Sequence, residues 1–247
     1  MSDDISGFNS PHMKIARART HFDAYWTAFR RLEGTGFLRV TLQPGGTLNS
    51  HNVVVDENRP IPADLRLNAA DVLYNLRSAL DQAACCCVPE GKKRSTYFPH
   101  GEDKQSFQKY LAEKFKASAS ARDAIVKIEP YYGGKGYLIR ALHDLNVLDK
   151  HVQVLSKNYK IVITGAEPRD GLPLGLRGSP ADAANPEIQN HYIQNDGLTR
   201  DGPKVWIRVA FTFSAVLQIA HEPITLVLEK MSDLVASTVN ALEDATR

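Results

Sequence analysis

Two short segments hold the residues that could do chemistry. The first, LNAADVLYNLRSALDQ, carries Asn68, Asp71, Asn75, Arg77, Ser78, Asp81 and Gln82. The second, LHDLNVLDKH, carries His143, Asp144, Asn146, Asp149, Lys150 and His151. At about 100 degrees per helical residue, Asp64, Asn68, Asp71, Asn75, Ser78 and Gln82 fall on one stripe, opposite Ala69, Val72, Leu76, Leu80, Ala83 and Cys87. Arg77 and Asp81 sit at the boundary, at the i,i+4 spacing of an ion pair. Solvated helix faces usually carry Lys and Glu. Short Asn, Asp and Ser are poor helix formers and suit a fixed network against a neighbouring element.

In the second segment Asn146 and Asp149 continue the apolar face of Leu138, Leu142 and Leu145. A carboxylate turned inward needs a cation or donors, because burying it bare costs several kcal/mol, on the order of a whole buried ion's penalty. Arg77 is the candidate counter-ion. The spacing therefore predicts that the two helices meet, with one guanidinium neutralising an acid on the other. The network could be catalytic, or it could be a structural tie.

Other chemistry finds little support. YYGGKG lacks the spacing and the Ser/Thr of a phosphate-binding loop, no HExxH occurs, no serine sits in a GxSxG elbow, and His191 and His221 belong to no metal-ligand pattern. Cys85, Cys86 and Cys87 are the only cysteines. Adjacent on a helix, they diverge too far to hold one metal and have no distant partner to bridge. Such usage fits a reducing cytoplasm. No metal and no cofactor is expected.

The elements that must position these residues follow from periodicity. Residues 1 to 10 read as disordered, and 11 to 247 as one α+β domain. Ile15, Ala18, Phe22, Tyr25, Trp26 and Phe29 mark a first long helix starting near Pro11. FLRVTLQP and HNVVVDEN predict an antiparallel pair, after which Asp64 caps or opens the second long helix, ending before Pro89. A third helix is expected over about 104 to 119, a turn at YYGGKG, and a fourth helix over about 137 to 148. KNYKIVITG and the alternating Val205 to Phe213 read as strands, as does ITLVLE, followed by a last helix carrying Leu234, Val235, Val239 and Leu242. Residues 165 to 203, rich in Gly, Pro, Asp and Asn, form a long irregular excursion. The expected fold is α+β: a bundle-like core of four or five long helices beside a small antiparallel β-sheet.

With 247 residues, 43% hydrophobic and 23% charged, the chain has the composition of an ordinary soluble globule. Its formal charge of +2 gives no global attraction to nucleic acid or acidic membranes. No apolar run is long enough to span a bilayer and the N-terminus has no signal-peptide pattern, so a cytoplasmic protein without membrane contact is expected.

The same two segments resemble helical signatures of a widespread set of bacterial and phage-borne proteins, NLRSALDH-like and LNxxDKHR-like. In order along the chain, Phe98-Pro99 and a loose version of I-x-x-x-PY at Ile125 to Tyr131 add to the likeness. No activity comes with that family. The first signature also resembles the Arg-x4-6-His motif of HEPN-type proteins, many of them metal-independent ribonucleases of toxin or phage-defence systems. Arg77 matches the Arg position, whereas Gln82 stands where the His would be. A glutamine does not transfer protons near neutral pH.

The resemblance implies an RNA-binding protein or endoribonuclease, with Arg77 stabilising phosphate charge and His151, oriented by Asp144 or Asp149, moving the proton of a 2'-hydroxyl. It also implies a homodimer through the long helices. Against this stands a noncatalytic interaction or regulatory protein, with RNA or another protein as partner, which the glutamine at position 82 favours.

Overall fold

The structure, a computed structural model, describes residues 7–33, 35–44, 51–151, 159–167, 193–197, 204–213 and 215–247. At residues 40–44, 51–53, 55, 57, 151, 159–167, 193–197 and 204–208, which include His151, Trp206 and Arg208, it describes the backbone alone. Residues 1–6 and most of the 165 to 203 excursion, including His191, lie outside the described residues.

Helices make the core. The first, α1, spans Asn9–Arg30, so residues 9 and 10 begin a helix instead of closing a disordered tail. Pro11 falls in its first turn, where a missing N–H costs nothing. Helix α2 spans Ala63–Cys86. Pro62 holds the extended backbone just before it, and Asp64 lies in the first turn, where an acid favours the helix dipole. α1 and α2 run antiparallel, since Ser10 meets Gln82 while His21 meets Asn68.

Two expectations near the middle and the end of the chain are corrected. The helix expected over 104 to 119 is two: α3, Lys104–Glu113, and α4, Ala119–Ile128. Asp103 closes a capping box with Ser106 at the start of α3, and Ser118 accepts from the Ala121 N–H to start α4. Between them Phe115 is buried, which bends the chain toward the core and leaves no straight helix through 119. ITLVLE is not a strand. It forms the first turns of α6, Ile224–Thr246, because Ile224, Val227, Leu228, Met231, Val235, Val239 and Leu242 share one buried helical face. β-branched propensity is weak beside that burial. Helix α5 spans Tyr137–His151 and, like α1 and α6, packs against α2, which lies at the centre.

Strands are short and do not form a single sheet. β1, Leu38–Pro44, pairs antiparallel with β2, His51–Glu57. Separately, β5, Lys204–Phe211, lies between β3, Tyr159–Glu167, and β4, Ile193–Gly197, antiparallel to both. The end of β5 joins the helical core through Phe211, whose ring meets Phe29 edge-on at 6.1 Å and Phe37 at 5.9 Å. No helix among the described residues is long and apolar enough to cross a membrane.

Between α2 and α3 the chain passes through a 3-10 turn, Glu90–Ser95, and an extended piece to Gly101, which bridges Tyr131. A Cβ at Gly101 would lie 2.5 Å from the Phe107 nitrogen and 2.8 Å from the Asp103 carbonyl oxygen. Both are backbone of the α3 entry and neither can turn aside. Gly101→Ala is therefore expected to destabilise the protein by about 2 kcal/mol, as overpacking does. Urea unfolding checks this, and an unchanged midpoint would mean the two backbones do not meet so closely.

Candidate functional site

The polar residues of α2 divide between two neighbours. Asn68, Asp71 and Gln82 meet α1, and Ser78 meets Gln82. The Gln82 Oε1 accepts from the Ser10 hydroxyl at 2.7 Å, and its amide lies 3.4 Å from the Ser78 oxygen. His21 Nδ1 lies 3.4 Å from Asn68 Oδ1 and 3.5 Å from Asp71 Oδ2. Asn68 and Asn75 donate back to the carbonyls of Asp64 and Asp71, each at 2.8 Å.

Toward α5 the seam is real. α2 and α5 run in opposite directions: Asp71 acts on Asp149, whereas Arg77, further along α2, acts on His143. Asn75 and Asn146 are both buried, and burial together with the Asp71 charge raises the Asp149 carboxyl above the usual carboxylate range. The expected pairing, however, is not the one that forms. Arg77 closes on Asp81 of its own helix, with Nη2 to Oδ1 at 2.6 Å and Nε to Oδ2 at 3.2 Å. Nη2 also reaches the Phe98 carbonyl at 3.4 Å, and the Phe98 N–H donates to Asp81 Oδ1 at 2.9 Å. The carboxylate one turn along the same helix is nearer than any acid α5 offers, so Arg77 has no need of Asp149. Only 5% of Arg77 is exposed.

That clasp holds the extended segment on which His100 stands. The His100 and His143 rings lie 4.0 Å apart, tilted by 35°. Arg140 of α5 reaches His100 Nδ1 at 3.2 Å and Asp144 Oδ1 at 2.9 Å. A guanidinium only donates, so Nδ1 accepts and the ring proton resides on Nε2. Asp144 Oδ2 accepts from the Tyr132 hydroxyl at 2.7 Å, and the Arg140 guanidinium stands 5.8 Å from the Tyr132 ring centre. Asp144 thus serves Arg140 and Tyr132. Its expected role, orienting His151, falls on a side chain outside the described residues.

Lys150 is exposed, and the His151 side chain lies outside the described residues. His100, Arg140 and Tyr132 are absent from the sequence-based set. The Arg140/Asp144 spacing of four is the one sequence signal for them; that His100 meets His143 depends on where an extended segment far upstream packs.

Electrostatically the cluster is closed. Each arginine has a carboxylate partner, and both imidazoles are held neutral. Burial first, then the charge of Arg77, the His143 ring and Arg140 lower His100 from 6.5 to about 2. Burial, Arg77 and Arg140 lower His143 to about 4, against the opposing pull of Asp144. General acid–base catalysis works best with a pKa near the working pH, and these imidazoles have been moved well away from it. Among the described residues no three His, Cys, Asp or Glu side chains converge as a metal site requires. Burial also raises the three cysteine thiols, Cys87 to about 12, which keeps them protonated and unreactive.

The histidine pair gives a signed pH dependence. Unfolded imidazoles take up protons near 6.5 and the folded ones resist until about 4 or below. Their contribution to stability is therefore complete above about pH 6.5 and is lost as the pH falls. Between roughly pH 6.5 and 5, above most carboxylate titration, the unfolding free energy should drop with falling pH. The double variant His100→Gln/His143→Gln should flatten that slope. Equal slopes in both proteins would show that the pair is solvated and titrates normally.

Comparison with protein-family models, with curated proteins and with solved structures finds no match for this chain, so its own geometry carries the functional reading.

Proposed function

We propose that the chain acts without catalysis, as an interaction or regulatory protein whose α2/α5 seam is a structural tie. The observation that supports this reading is the enclosure of Arg77. Its guanidinium is neutralised by Asp81, capped by the Phe98 carbonyl and almost wholly buried, so a phosphate has no route to it without breaking the clasp. The two imidazoles beside it are neutral and far from the pKa a proton shuttle needs. Gln82, at the HEPN histidine position, is hydrogen-bonded to Ser10 and serves the α1 contact.

A second reading, a HEPN-like, metal-independent RNA-binding protein or endoribonuclease of bacterial or phage origin, is favoured by one observation. Asp149, next to Lys150 and His151 in the LDKH segment, is a half-buried carboxyl raised toward neutrality, the direction a proton-transfer group requires. In that reading the protein is a cytoplasmic homodimer with RNA as its partner.

Removing one partner of a buried pair leaves the other charge stranded. Arg77→Ala is expected to cost about 3 kcal/mol of stability, read by urea unfolding. The wild type should leave labelled single-stranded RNA intact in the presence of a chelator. Chelator-resistant cleavage by the wild type, lost in folded Asp149→Asn and His151→Ala variants, would overturn the noncatalytic reading in favour of the second.

A further inference from the structure

We draw no further inference here: the strongest candidate, the exposed apolar surface of the packed α1/α2 pair that carries Met13, Leu67 and Tyr74, supports none because nothing in the structure shows what covers it.

Discussion

The clasp of Arg77, Asp81 and the Phe98 peptide governs the geometry of everything around it. Asp81 Oδ1 receives both the Arg77 guanidinium and the Phe98 N–H, and the same guanidinium reaches the Phe98 carbonyl. One ion pair on α2 therefore satisfies both backbone polar groups of Phe98. Phe98 and Pro99 are buried as a consequence, and the chain emerges at His100 with its ring facing α5. Without that anchor the extended piece would carry unpaired backbone groups into the core, which is costly.

From His100 outward the interactions are ordered by who donates and who accepts. Arg140, donor only, serves His100 on one side and Asp144 on the other, and Asp144 in turn accepts from Tyr132. Charge is balanced pair by pair, so the cluster is buried without a net ion. The balance leaves each arginine of the cluster with a carboxylate partner. Within this cluster two donors remain unmet among the described residues, Nη1 of Arg77 and Nε of Arg140. Their cost is offset by the charge-assisted bonds the same groups make.

At the opposite end of the seam the chemistry differs. Asp71 acts on Asp149, and burial first, then the Asp71 charge, makes Asp149 hold its proton more tightly. His21 Nδ1 of α1 lies 3.5 Å from Asp71 Oδ2. The seam thus has a neutralised half near Arg77 and a carboxylate half near Asp149, and the two functional readings draw on different halves.

The sequence by itself determined the long helices α1, α2 and α5, because their apolar residues recur at a spacing only a helix can bury on one side. It also determined that the polar stripe of α2 and the inward Asn146 and Asp149 required partners, since uncompensated burial is expensive. Partners were another matter. That Arg77 takes Asp81 and the Phe98 peptide, that Asp144 takes Arg140 and Tyr132, and that His100 meets His143 are decided by where a loop far along the chain packs, and no local periodicity encodes a loop's landing point. The same reason explains the end of the chain. ITLVLE has strand-like residues, and only its packing against the central helix α2, reached after the whole molecule is assembled, makes it the start of α6.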